Sequence, residues 1–247
     1  MLSHALAALV ALWWSLCYQK TFQIKSRERR RYLQKAVNLG LCYRGFAPDS
    51  KLRSIVGAGK AAFFCCAYDV VSDWRDFDEA AFLRFSEVLL RSVSTEASAI
   101  AKRLYMEERK GILRWDGLSR GVDALQFITL VIGSERHMRE NADLHHLGII
   151  MQIVDDVLDW EDDLRSGETN CLRNVGREAY LKQLLRFDVN GMKRFLPHAT
   201  ILGVVIDRAQ KKARGLLGGT VEFPCVPQCP CYDIDEKQQG EMVDHMR

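Results

Sequence analysis

Apolar residues recur along most of this chain at spacings of three and four, the period of a helix packed on one face. Few runs alternate at the period of two that marks a half-buried strand. The one Asp-Gly dipeptide, Asp116-Gly117, joins two helical patterns rather than two strands. The pattern predicts helices over 4–20, 26–44, 50–75, 78–108, 117–136, 140–164, 176–195 and 198–216. Gly40, Gly45 and Pro48 break the second from the third, Asp76 to Asp78 mark the next junction, and Gly111 and Gly117 bracket a short link. Gly133 and Asn141 separate two more helices, and Pro197 closes the seventh. Nothing repeats at a fixed period, and no internal linker is long enough to divide the chain. The expected fold is therefore all-α: a single-domain helical bundle over 1–217, with a Pro/Cys-rich tail at 218–247 that is expected to be disordered.

Composition narrows the class. The 247 residues suffice for one sizeable core, and 48% apolar with 27% charged residues is ordinary for a folded soluble chain. A net charge of +3 is too small to argue for nucleic acid. The one concentrated basic run, Lys25 to Lys35, reads as a solvated helix face, with a phosphate-facing or membrane-surface patch as the alternative. Of eight cysteines, Cys17, Cys42, Cys65 and Cys66 lie in apolar segments, where the thiol packs as a small hydrophobe. Cys225, Cys229 and Cys231 have two prolines among them and no nearby histidine, a poor zinc site. A reducing, cytoplasmic compartment fits this usage. The run Ala5 to Tyr18 is apolar but short of the roughly 20 residues a membrane span needs. It reads as a buried helix, with peripheral membrane contact through this first helix as the alternative.

Charge patterning supplies the candidate chemistry. Six acidic residues occupy the nine positions from Asp155 to Asp163, directly after one of the most apolar segments. On a helix, Leu147, Met151, Val154 and Leu158 form an apolar stripe, and Gln152, Asp155, Asp159, Asp162 and Asp163 form its neighbour. Carboxylates four residues apart repel, and beside a buried face that repulsion grows. A second helix, apolar on every face from Ala61 to Tyr68, ends in Asp69 and Asp73, again four apart. Two buried helices that each end in Asp-x-x-x-Asp call for a cation. If both point the same way, the clusters face each other across the bundle, as metal sites in helical bundles do. Hard divalent cations take such oxygen ligands, often shared with phosphate.

These residues resemble the class I isoprenoid synthase superfamily: trans-prenyl diphosphate synthases, squalene and phytoene synthases, and class I terpene cyclases. The stretch "GIIMQIVDDVLDWEDDLRSGETN" is similar to the second aspartate-rich motif of that family. Met151-Gln152 stand for its Phe-Gln pair, and Asp155, Asp156 and Asp159 match its acids. Asp69 and Asp73 resemble the first motif in its Asp-x-x-x-Asp form. The resemblance covers roughly residues 55–175. No Gly-Lys-x-x-Arg-like motif of the chain-elongating members precedes Asp69, which favours a single prenyl diphosphate as substrate.

The resemblance implies an isoprenoid synthase-like bundle with a central apolar cavity, in which an allylic prenyl diphosphate ionises and its carbocation cyclises or eliminates. It implies Asp69, Asp73, Asp155 and Asp159 as catalytic acids, joined by Asp156 and Asp163 in holding up to three Mg²⁺ ions, or Mn²⁺ in their place. Arg165, Arg109, Lys110 and Arg173 are the expected diphosphate clamp. Phe63, Phe64, Tyr68, Phe127, Met151 and Gln152 are the expected cavity wall. Prenyl transfer, of the elongating or squalene/phytoene type, is the alternative within the enzyme class. A non-catalytic or regulatory protein on the same scaffold is the alternative outside it. The expected partners are a prenyl diphosphate, no nucleic acid, a second copy in a homodimer, and a membrane surface touched by the first helix.

Overall fold

The computed structural model describes residues 1–72, 78–109, 118–133, 142–166, 170–173 and 177–218. Among them are ten α-helices and no strand: α1 Leu2–Tyr18, α2 Ser26–Tyr43, α3 Leu52–Ser72, α4 Glu79–Ser92, α5 Thr95–Arg109, α6 Ser119–Ile132, α7 Ala142–Ser166, α8 Arg177–Arg186, α9 Val189–Phe195 and α10 Thr200–Gly218. Short 3-10 turns follow α2 at Arg44–Phe46 and α7 at Cys171–Arg173. The tail expected to be disordered lies outside the described residues.

Two predicted helices are each divided in two. The run 78–108 breaks after Ser92, where Val93 turns extended at φ −145° and ψ −168°. The Ser94 hydroxyl then accepts from the Ala97 N–H at 3.2 Å and starts α5 as a side-chain cap. The run 176–195 breaks at Asp188, whose carboxylate accepts from the Asn190 N–H at 2.9 Å and starts α9.

α3 is the central helix, buried on nearly every side from Ala58 to Ala67. It is long and apolar enough to cross a membrane, but most of it lies inside the fold. α1 and α2 form an antiparallel hairpin, and both pack on α3. On the other side α3 packs on α6, and α6 on α7. α10 then joins α7 back to α2. The helices α2, α3, α6, α7 and α10 thus form a closed ring. α4 and α5 buttress it at α3 and α6, and α8 and α9 at α10.

The α6–α7 contact fixes where the acidic end of α7 points, and glycine makes it possible. A Cβ added at Gly121 would lie 2.3 Å from the Gly148 carbonyl oxygen, and one at Gly148 would lie 2.7 Å from the Val122 Cα. Backbone cannot yield as a flexible side chain can. Gly121→Val is expected to lower unfolding stability by about 1–3 kcal/mol or more, the cost of overpacking, despite valine's better helix propensity. Chemical denaturation checks this; an unchanged midpoint contradicts the close approach.

Candidate functional site

The two acidic helices do meet electrostatically across the ring. Asp69 of α3 and Asp155 of α7 act on each other, and both act on Lys35 of α2. Lys35 forms an ion pair with Asp69. Burial alone would lower the Lys35 ammonium, but Asp69 and then Asp155 outweigh it and hold it above its ordinary value. Asp155 is open to solvent, yet protein crowds it closely, as on the wall of a recess. That crowding, followed by the like charges of Asp156 and Asp159, pushes its carboxyl up to about 7. Burial also raises the Asp159 carboxyl, against the pull of Lys35, Lys212 of α10 and Arg31 of α2.

A recess of about 460 Å³ opens along α2, lined among the described residues by four cations, Arg27, Arg30, Arg31 and Lys35, with Gln34, Asn38 and the apolar Leu39. The volume falls in the usual range for a small-molecule site. Its character is basic, where an apolar hollow was expected. Lys35 belongs to both features, lining the recess and pairing with Asp69. A cationic groove therefore adjoins a carboxylate cluster, the polarity that suits an anion bridged to the acids by a divalent cation.

The other acids of α7 have different partners. Asp156 is 5% exposed and accepts from Gln152 Nε2 at 3.1 Å and the Cys171 N–H at 2.9 Å. Its backbone carbonyl accepts from Asn170 Nδ2 at 2.7 Å. Asn170 Nδ2 also donates to Asp163 Oδ2 at 2.8 Å. Asp156 and Asp163 thus pin the turn that follows α7. Both were expected as metal ligands; here their carboxylates are engaged by Gln152, Cys171 and Asn170. Asp162 pairs with Arg165 on the exposed side of the helix.

The expected clamp is also redistributed. Arg165 is bound locally, to Asp162 and by Nε to the Glu161 carbonyl at 3.1 Å. Arg109 holds Glu79 at 2.8 Å and ties α5 to α4. Arg173 lies on the turn after α7. Asp73 and Lys110 lie outside the described residues. The cations that do approach Asp69, Asp155 and Asp159 are Lys35, Arg31 and Lys212, none of which the sequence singled out individually. Lys212 Nζ also donates to the Leu158 carbonyl at 2.9 Å and pairs with Glu161, tying α10 to α7.

Of the expected cavity wall, Phe63 and Phe64 are fully buried. Phe63 packs against Trp14, Tyr18 and Phe22 at 5.4–6.0 Å between ring centres, and Phe64 edge-on to Phe85 at 5.9 Å. Tyr68 meets Phe85 of α4 at 6.1 Å. Phe63 and Phe64 fill the core where α1, α3 and α4 join, while Tyr68 is half-buried at its edge. Phe127 is buried on α6, and Gln152 serves Asp156. Met151 and Gln152 are both half-buried, one on the apolar stripe a turn before Asp155 and the other on the stripe of the acids themselves. Behind Asp69, burial lifts the Cys65 thiol to about 12, so it is inert at neutral pH.

Among the described residues no group of three or more His, Cys, Asp or Glu is arranged as a ready metal site. The donor set of Asp69, Asp155 and Asp159 is nevertheless all oxygen, and burial, then the neighbouring Asp156 and Asp159, raises the Asp155 carboxyl despite Lys35. Both features fit a hard divalent cation. The fold and site together define an all-α bundle whose acidic and basic helices meet across a ring. No family model, curated protein or solved structure matches the chain.

Proposed function

We propose that the chain is a Mg²⁺-dependent class I terpene synthase in the broad sense, ionising one allylic prenyl diphosphate and cyclising or deprotonating the cation. The observation that carries this reading is the coupling of Asp69 and Asp155, on two different helices, through Lys35 beside a basic recess. Asp69, Asp155 and Asp159 are the residues that would hold magnesium, which would supply Lewis-acid stabilisation to a departing pyrophosphate. Lys35 and Arg31 face the same oxygens and offset the charge that builds as the C–O bond breaks. In this reading the basic recess takes the diphosphate, and Met151, half-buried one turn before Asp155, is a candidate contact for the prenyl chain.

One observation favours a second reading, prenyl transfer. Arg27, Arg30 and Arg31 line the recess beyond Lys35, enough cations for a second diphosphate. Incubation with geranyl, farnesyl and geranylgeranyl diphosphate, with and without Mg²⁺, tests both. The expected result is metal-dependent release of pyrophosphate with a hydrocarbon or alcohol product from one substrate alone. Product that appears only when isopentenyl diphosphate is added selects prenyl transfer. Thermal stabilisation by pyrophosphate and Mg²⁺ without any product selects a non-catalytic scaffold and removes both enzyme readings.

A further inference from the structure

Helix α1 contains no Asp, Glu, Lys or Arg. Its inner face, with Ala7, Ala8, Ala11 and Ser15, is buried against α2 and α3. The outer face is apolar as well. Leu2 is 86% exposed, Leu9 60% and Trp13 66%, and Ala5 beside them is open to solvent. These four residues recur at spacings of three and four and form one stripe along the helix. Because α1 and α2 form an antiparallel hairpin, the end of α1 that carries Trp13 lies beside the turn into α2. There Lys20, Lys25, Arg27, Arg29 and Arg30 are all exposed, and the one acid between Lys20 and Lys35 is Glu28. An apolar stripe with an exposed tryptophan thus ends in a basic collar.

We infer that this face of α1, with its collar, docks the protein on the surface of an anionic bilayer. The helix would lie in the interface plane, Leu2, Leu9 and Trp13 entering the headgroup boundary while the collar meets lipid phosphates. Charge complementarity argues for this occupant: an anionic membrane attracts the collar of exposed Lys and Arg while it takes up the uncharged stripe of α1. A two-fold dimer with α1 antiparallel, which keeps the collars apart, is the competing occupant that the test reads. Arg27 and Arg30 belong to both the collar and the recess, so the inference is tested at Leu9, Trp13, Lys20, Lys25 and Arg29, none of which lines the recess.

The full chain is co-sedimented with vesicles of phosphatidylcholine alone and of phosphatidylcholine with phosphatidylserine. Binding is expected to the mixed vesicles and to weaken as salt rises. Leu9→Ser and Trp13→Ser are each expected to weaken it by about ten-fold or more. The triple change Lys20→Gln, Lys25→Gln and Arg29→Gln is expected to weaken it by about five-fold per charge removed. All these positions are exposed, so thermal melts should match the parent. No binding to the mixed vesicles, or binding unchanged in the variants, overturns the inference. So does a dimer, measured by light scattering, that Trp13→Ser converts to monomer, since the face is then a seam between copies.

Discussion

Asp155→Asn is expected to lower prenyl diphosphate turnover by about 10²–10³-fold or more, and to make the metal-free protein more stable at pH 8 than the parent. The two effects have one cause. Crowding by protein, then by Asp156 and Asp159, lifts the Asp155 carboxyl from 3.8 to about 7. Between those values the folded protein keeps a proton that the unfolded chain has lost. Stability therefore falls as pH rises through this window and stays at its lower level above it. Asparagine keeps the shape and has no proton to lose, so that slope disappears. Asp155 is open to water, and solvent screening makes the gain in melting temperature modest. Added Mg²⁺ is expected to stabilise the parent above pH 7 and the variant much less. Melting curves from pH 4 to 8, with and without Mg²⁺, and a product assay check each part. Undiminished turnover, or a variant less stable than the parent at pH 8, sinks the assignment of Asp155 as a metal-holding acid.

The acids were legible in the sequence because like charge crowded at the end of an apolar helix has few bland explanations. Their partners were not. Lys35 closes a run whose other members face solvent, so a local reading assigns it to the same solvated face. Only the packing of α2 on α3 turns it toward Asp69. Lys212 is 53 residues beyond Asp159 in sequence, and no helical spacing connects them. The partners of Asp156 and Asp163 were hidden for a different reason. Matching a motif counts carboxylates, but Asp156 lies about 100° around the helix from Asp155, on the side that the Cys171–Arg173 turn covers. The aromatic residues of α3 show the same limit. Periodicity located a central helix but not which of its sides meets α1 and α4 and which meets the site. For the fold, six of the predicted helices survive as single helices, shifted by a few residues at their ends. The two divided ones failed because α4 and α5, like α8 and α9, continue one apolar rhythm across the break. Only the caps Ser94 and Asp188 mark the interruption.

Lys35→Met is expected to separate the resident cation from the divalent ion proposed for the same acids. Removing Lys35 leaves Asp69 without its ion-pair partner and takes from Asp155 the cation that lowers its carboxyl, while Asp159 keeps Lys212 and Arg31. Breaking a fully buried pair costs about 3–5 kcal/mol, because the remaining charge has no compensation. Lys35 keeps 39% of its side chain exposed, and screening by water reduces the expected loss to about 1–2 kcal/mol. The sign with pH follows from the direction of the shift. The Lys35 ammonium is held above its ordinary value, so its contribution is fully present below the usual lysine range and is lost only as pH rises beyond it. Lys35's own titration therefore adds no slope from about pH 6 to 9, but the destabilisation should grow as pH rises through about 7, where Asp155 takes on the charge that Lys35 offsets. Magnesium competes with Lys35 for Asp69, so the variant should bind Mg²⁺ more tightly and recover its stability when the ion is added. Turnover should nevertheless fall, because the phosphate oxygens lose the cation that faces them. Calorimetric titration with Mg²⁺, beside melts and a product assay, separates these outcomes. A variant with unchanged magnesium affinity would show that Lys35 and the metal do not share these carboxylates. Asp69 would then be a structural acid, and the coupling on which the enzyme reading rests would be an ordinary ion pair.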